Sequence, residues 1–236
     1  MARRTKPIVD QDVLRLRLIE LLNDLPERLA HGEVGEQVCE LVQIHHHLRD
    51  LGASIGAALA PEDAGSGRAR IIAYLRAQVG RIVHTDELMI VAAIGDYPRR
   101  IRELRADHGW PIISGMAVRD LRLLDPRERA SRSAPGSMSP DEYMLLEDRR
   151  DEGAPKRWET AGDLRGTGTA PTPLVRVYFE MFPGARITAE ELRYLVGNKS
   201  VWTTSTLELV AHGFPVAGAD LKGAGLPAGI FVLSGS

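Results

Sequence analysis

A run of arginines between positions 97 and 105 is the part of the sequence best suited to chemistry. It reads Tyr-Pro-Arg-Arg-Ile-Arg-Glu-Leu-Arg, and Ile101 and Leu104 would share one face of a helix, leaving arginines on the others. Guanidinium groups bind phosphates and can bond bidentately to guanine in the major groove. The run indicates DNA contact, although a solvated helix with Glu–Arg pairs has the same pattern. The candidate DNA-binding residues are Tyr97, Arg99, Arg100, Arg102 and Arg105.

Positive charge continues beyond this run. Residues 97–132 hold nine arginines and five acidic residues, whereas the whole chain has a formal charge of -2. That overall balance argues against a histone-like protein that coats DNA by bulk charge. Arg119 and Arg122 are expected in a hairpin wing whose extension carries Arg127, Arg129 and Arg132. Such an arm could follow phosphates or enter the minor groove, and a polar loop without DNA contact is the alternative.

A second candidate segment, residues 198–206, offers hydroxyl and amide groups in place of arginines. Small polar side chains can bond phosphates or base edges. From residue 174 to the end, however, five basic residues balance five acidic ones. This half either reads bases once the first half has docked, or it is a protein-interaction copy without DNA contact. Its candidate DNA-binding residues are Lys199, Ser200, Trp202, Thr203 and Thr204.

No pattern in the sequence predicts a metal site, a cofactor or a catalytic centre. Cys39 is the single cysteine, which excludes an internal disulfide and a thiolate cluster. The consecutive histidines 45–47 would point about 100° apart on a helix, so they could not all face one ion. The phosphate-binding glycine loop, the Gly-x-Ser-x-Gly elbow and an HNH arrangement are all missing. Catalysis is therefore not expected.

An internal repeat organises the elements that must position these residues. Six residues recur with a constant offset of 104, and the third helices align only with a compensated one-residue slip, because Leu104 corresponds to Leu209. Chance matching of common residues is the alternative. The recurring positions are Gly80, Glu87, Leu88, His108, Gly109 and Pro111, which match Gly184, Glu191, Leu192, His212, Gly213 and Pro215.

Each repeat predicts the order helix, strand, helix, helix, strand, strand. That order is typical of the winged helix, in which the second and third helices form a helix-turn-helix and the last two strands form the wing. Two leucine-rich patterns before the first repeat, at 10–31 and from 34 to about 52, predict amphipathic helices. The expected fold class is therefore mainly α, with α+β winged helices. The predicted domains are an N-terminal helical region at 1–66, winged helices at 67–150 and 173–236, and a linker at 151–172.

Residues 68–114 resemble the winged helix-turn-helix domains that accompany bacterial restriction endonucleases, including HNH types. The resemblance is carried by residues 71–83, by the arginine run and by Gly109-Trp-Pro-Ile, with residues 139–145 resembling the returning wing strand. It implies sequence-sensitive or modification-sensitive DNA binding in a restriction or defence setting. It also implies that Arg99, Arg100 and Arg102 occupy groove-facing positions. The chain departs from that family in having no recognisable nuclease domain.

We therefore expect a protein that binds double-stranded DNA, as a transcriptional regulator or as the DNA-reading component of a restriction system. A DNA-processing enzyme with an unfamiliar site and a protein-interaction scaffold are the alternatives. The exposed leucine stripe of the N-terminal helices predicts a homodimer. Because no window of 18 apolar residues is present, no membrane contact is expected, and the predicted location is cytoplasmic and nucleoid-associated.

Overall fold

Helices dominate the fold, as the sequence predicted, and two small antiparallel sheets complete it. The computed structural model describes residues 10–63, 65–124, 138–197, 199–218 and 226–233. Contacts divide the chain into two units. The first comprises Met1–Ala77 and Asp86–Arg100, and the second comprises Gln78–Thr85 and Ile101–Ser236. The boundary passes through one helix, the arginine-rich Tyr97–Ala106.

Two long helices, α1 (Gln11–His31) and α2 (Val34–Leu59), begin the first unit. The prediction that the second helix ends near Gly52 is wrong, because α2 continues without a break. A Cβ on Gly52 or on Gly56 would lie 2.6 Å from the carbonyl oxygen of Ile90 or Val91, respectively. These glycines therefore allow close backbone packing within the first unit and do not end the helix.

The N-terminal helices bury little of their apolar surface. Only Leu14 and Leu21 of α1 are buried, and the buried residues of α2 are all small, with Ala57 the one that belongs to the hydrophobic core. Within the described residues, both helices carry apolar side chains that are between 37% and 75% exposed. The predicted dimer stays a prediction. The exposed residues are Val13, Leu16, Ile19, Leu22, Leu29, Val34, Val38, Leu41, Val42, Leu48, Ile55 and Leu59.

The structure contains the predicted repeat, because the same element order occurs twice. The first five elements of each copy begin at positions that differ by 104. The first copy comprises α3 (Gly67–Ala77), β1 (Val83–His84), α4 (Thr85–Ala92), α5 (Tyr97–Ala106), β2 (Ile112–Ser114) and β3 (Glu142–Leu145). The second copy comprises α8 (Pro171–Met181), β4 (Ile187–Thr188), α9 (Ala189–Leu195), α10 (Val201–Ala211), β5 (Val216–Gly218) and β6 (Ile230–Leu233).

The two sheets have the same topology, β1-β3-β2 and β4-β6-β5, and all of their pairs are antiparallel. Val83 pairs with Tyr143 in the first sheet, and Ile187 pairs with Phe231 in the second. The predicted one-residue slip is visible where the third helices end. The amide of Trp110 bonds the carbonyl of Leu104, six residues back, whereas the amide of Phe214 bonds that of Leu209, five residues back. The first copy therefore has one extra residue in this turn.

Two helices lie where the sequence predicted wing and linker. α6 (Gly115–Leu121) follows β2 directly, and Ser114 caps it by accepting a hydrogen bond from the amide of Ala117. α7 (Ala154–Arg165) occupies most of the segment 151–172 that was predicted to be a linker. The buried side of α7 includes Arg157 and Thr160 beside Ala154 and Ala161, so its apolar pattern is too weak for periodicity to have revealed the helix.

A buried polar cluster ties α7 to the second copy. Glu191 in α9 accepts a hydrogen bond from the Arg157 guanidinium at 2.8 Å and another from the Tyr178 hydroxyl at 2.9 Å. Burial lowers the pKa of Arg157, but the carboxylates of Glu191 and Asp151 outweigh it and raise the pKa overall. Burial and the Glu191 carboxylate raise the pKa of Tyr178. Arg157 therefore stays charged and Tyr178 stays neutral at physiological pH.

The first copy contains the equivalent tyrosine–glutamate contact. The Tyr74 hydroxyl donates a hydrogen bond to Glu87, and these residues precede Tyr178 and Glu191 by the repeat offset of 104. The hydrogen bond to Glu87, with some burial, raises the pKa of Tyr74 to about 12. This contact is thus a structural element of the repeat, although only its glutamate had been recognised from the sequence.

Substituting Gly109 should destabilise the protein more than substituting its repeat equivalent, Gly213. Both glycines have a positive φ, 68° and 81°, so alanine at either position should cost about 1 kcal/mol in backbone strain. A Cβ on Gly109 would also lie 2.0 Å from the carbonyl oxygen of Asp151, whereas one on Gly213 would have no neighbour within 4 Å. Urea unfolding should show the larger loss for Gly109→Ala. Equal losses would contradict the close approach of Asp151.

Breaking the buried ion pair of Glu191 should cost far more than breaking an exposed one. Glu191→Gln leaves the buried Arg157 charge with a weaker partner, for which we expect a loss of about 3 kcal/mol or more. Glu180→Gln removes the exposed pair with Arg176, which has the same 2.8 Å separation, and should cost about 1 kcal/mol at most. The free energy of unfolding measures both. Similar values would mean that burial does not set the strength of the Glu191 pair.

Candidate nucleic-acid interface

The exposed side of α5 carries arginines one helical turn apart. Ile101 and Leu104 are buried, as their spacing predicted, and Arg99 and Arg102 are exposed. Arg100 and Tyr97 are partly exposed. Among the described residues, Arg102 has no ion-pair partner. α5 therefore presents guanidinium groups of the kind that bind phosphates and base edges.

Arg105, by contrast, is buried and bonded to other residues of the protein. Its Nε donates to the carbonyl of Ile112 at 2.7 Å, and its Nη2 lies 3.0 Å from Oε1 of Glu190. The guanidinium also lies over the ring of Tyr143, with 5.7 Å to the centroid. The Arg105 side chain is only 10% exposed, so it is unavailable to a groove in this conformation. Sequence spacing within α5 could not reveal this, because Glu190 lies 85 residues away.

The arginines predicted for the wing lie on α6 and at its end. Arg119 is exposed in the last turn of α6, and Arg122 is the partly exposed C-cap residue. α6 thus replaces the expected start of the wing hairpin, and both arginines have a helical position. The arm predicted around Arg127, Arg129 and Arg132 lies outside the described residues.

The second candidate segment is only partly accessible. Lys199, Ser200 and Thr204 are exposed, whereas Trp202 and Thr203 are buried in the first turn of α10. Thr203 donates a hydrogen bond to the carbonyl of Ser200 at 2.7 Å, a contact within that turn. Two of the five predicted residues therefore do not face solvent.

Trp202 is buried in the core against the ring of Phe231, and its indole nitrogen bonds Asp120 of α6. This α6 carboxylate is 3% exposed, and Nε1 of Trp202 donates to its Oδ2 at 3.3 Å. Arg193 of α9 donates to the same oxygen. α6 therefore contacts α10, the helix of the second copy that corresponds to α5. Asp120 was not among the predicted site residues, because it lies in the segment that was predicted to be a wing and is in fact helical.

The described residues form no obvious metal centre and no membrane span. Within the described ranges, no group of three or more His, Cys, Asp or Glu side chains is placed to hold a metal ion. Histidines 45–47 lie on α2, with partly or fully exposed side chains. None of the described helices is long and apolar enough to cross a bilayer.

One part of the chain is similar to a known protein family. Residues 68–146 match the family model described as the KpnI N-terminal domain, which is restriction-endonuclease-related. The matched range runs from α3 to just after β3 and so coincides with the first copy of the repeat, about a third of the chain. No curated protein and no solved structure matches the chain significantly. The match agrees with the restriction-system resemblance found in the sequence.

Trp202 and Thr204 should respond differently to truncation, although both were candidate DNA-binding residues. Trp202→Ala removes a fully buried indole and should cost about 3 to 5 kcal/mol of unfolding free energy. Thr204→Ala changes an exposed position and should stay within about 0.5 kcal/mol of the parent. Chemical denaturation of both variants tests the difference. A stable Trp202→Ala protein would contradict the burial of this helix turn.

Proposed function

We propose that the chain binds double-stranded DNA through the exposed face of α5, as the DNA-reading component of a restriction or defence system. The observation that carries this proposal is the pair of exposed guanidinium groups, Arg99 and Arg102, one turn apart on α5. The match of residues 68–146 to a restriction-endonuclease-related domain supports it independently.

The topology of each copy supports a winged helix-turn-helix. Four residues separate α4 from α5, a short turn of the kind that joins the two helices of this motif. The helices are followed by two antiparallel strands, and the last strand lies at the centre of each sheet. In this arrangement α5 is the recognition helix, the element that enters a major groove.

The charge distribution also favours this surface. Residues 10–59 contain nine acidic and four basic residues, whereas the whole chain has only two more acidic than basic residues. The chain after residue 59, together with the first nine residues, therefore has an excess of positive charge. Phosphates attract such a region and repel an acidic one. The N-terminal helices are accordingly not part of the proposed DNA surface.

The second copy acts in this proposal as a support for the first. Its third helix buries Trp202 and Thr203, which reduces the surface it could offer to bases. Its α9 supplies Glu190, which bonds Arg105 near the C-terminal end of α5 and also accepts from the amide of Ser114 at 2.7 Å. The sequence left open a second reader of DNA and a protein-interaction copy without DNA contact. These contacts favour the protein-interaction copy, which here contacts residues of the first copy.

Removing Arg99 and Arg102 together should weaken DNA binding and its dependence on salt. If both contact phosphates, the slope of log K against log salt should fall by about 1 to 2, and affinity should drop at least about tenfold. The matched control is Arg15→Ala with Arg17→Ala, which removes the same charge from exposed positions of the acidic α1. Fluorescence anisotropy with unmodified and cytosine-methylated duplex pools measures both.

Two results would overturn the proposal. Equal losses in the two double variants would assign binding to net charge and not to α5. Absence of binding to every duplex pool at low salt would remove the DNA function. In that case the scaffold alternative is favoured, because the exposed apolar residues of α1 and α2 provide a surface suited to a protein partner.

A further inference from the structure

A cleft of about 580 Å³ lies within the second unit, where the residues just before β2 and just after β3 meet α7 and the second copy of the repeat. Its walls come from residues 109–112 at the start of β2, from residues 147–153, from the first turns of α7 and from residues 184–188. The volume falls within the usual range for small-molecule sites. The α5 face proposed to bind DNA is a different surface, since Arg99 and Arg102 do not line the cleft.

Three arginines in the walls are already committed to ion pairs. Arg105 pairs with Glu190, Arg157 pairs with Asp151 and Glu191, and Arg186 lies 2.7 Å from Glu147. These pairs neutralise most of the carboxylates that line the cleft. They also hold its walls rigidly, because each pair joins separate segments of the chain.

Two further arginines keep guanidinium nitrogens available for a ligand. Arg149 and Arg150 are exposed at the cleft, and Arg150 uses only its Nε, to the carbonyl of His108 at 3.0 Å. Within the described part of the chain, Arg149 has no hydrogen-bond or ion-pair partner. Glu152 is the one unpaired carboxylate among the described lining residues, so the free charge at the cleft is positive.

The remaining features add flat apolar surface. At the start of α7, Asp151 already accepts hydrogen bonds from the amides of Gly153 and Ala154, so this helix end offers no further anion site. Trp110 and Trp158 both line the cleft and are partly exposed. Indole rings are surfaces on which nucleobases stack.

We propose that this cleft binds a nucleotide, with the base against Trp110 and Trp158 and the phosphate at Arg149 and Arg150. A guanidinium pair and two indoles together match a ligand that joins a flat heteroaromatic ring to an anion. The ligand has two sources with this same chemistry: a free mononucleotide, or a nucleotide extruded from a duplex. The second source rests on the proposed DNA binding, and the first does not.

Tryptophan fluorescence of the full chain tests the free ligand. We expect the four deoxynucleoside monophosphates to change the emission with dissociation constants of about 1 mM or tighter, and inorganic phosphate or a nucleoside alone to bind more weakly. Arg149→Ala with Arg150→Ala should weaken binding at least tenfold. The control, Arg81→Ala with Arg176→Ala, removes two exposed charges that do not line the cleft and should leave binding unchanged.

A duplex with a single 2-aminopurine tests the extruded nucleotide. Binding should raise the probe's emission with the parent protein, and the rise should be lost in the Arg149 and Arg150 double variant while duplex affinity persists. Arg99→Ala with Arg102→Ala should abolish duplex binding yet retain any mononucleotide binding, so failure of the DNA proposal is distinguishable from failure of this one. The cleft proposal is overturned if neither probe responds, or if the control variant loses as much as the cleft variant.

Discussion

Two adjacent carboxylates at the start of α9 hold the second unit together. Glu190 and Glu191 are 8% and 0% exposed, and each bonds an arginine from a different part of the chain. Glu190 holds Arg105 of the first copy, and Glu191 holds Arg157 of α7. Buried charges are tolerated only with partners of this kind, because the loss of hydration is severe. The relation between the two copies and α7 depends on these contacts.

Because buried carboxylates need charged partners, arginines that look alike in the sequence have different environments in the structure. Arg102 and Arg105 belong to the same basic run, but the first is exposed and the second neutralises a buried glutamate. The proposed DNA surface is correspondingly smaller than the composition indicates. It is also better defined, since the end of α5 is held at Arg105 while Arg99 and Arg102 stay exposed.

The two copies of the repeat contain the same elements but make different contacts with the rest of the chain. Both copies share sheet topology and a tyrosine–glutamate contact, yet 27 residues, including α6, separate β2 from β3, whereas 11 residues separate β5 from β6. Asp120 of α6 then binds Trp202 and Arg193 of the second copy. The contact with α6 and the packing of Trp202 against Phe231 together make α10 less accessible than α5. In the proposed function, the first copy is therefore the reader of DNA and the second is its support.

Local patterns in the sequence determined the elements of the two repeat copies, the repeat offset of 104 and the buried positions Ile101 and Leu104, because periodicity and glycine placement act between near neighbours. Tertiary structure alone decided three things. It extended α2 through Gly52, because a neighbouring backbone packs against the glycine. It made α7 a packed helix, because the helix buries Arg157 against Glu191, which lies 34 residues away. It withdrew Arg105 and Trp202 from solvent, because their partners, Glu190 and Asp120, lie more than 80 residues away and only folding brings them together.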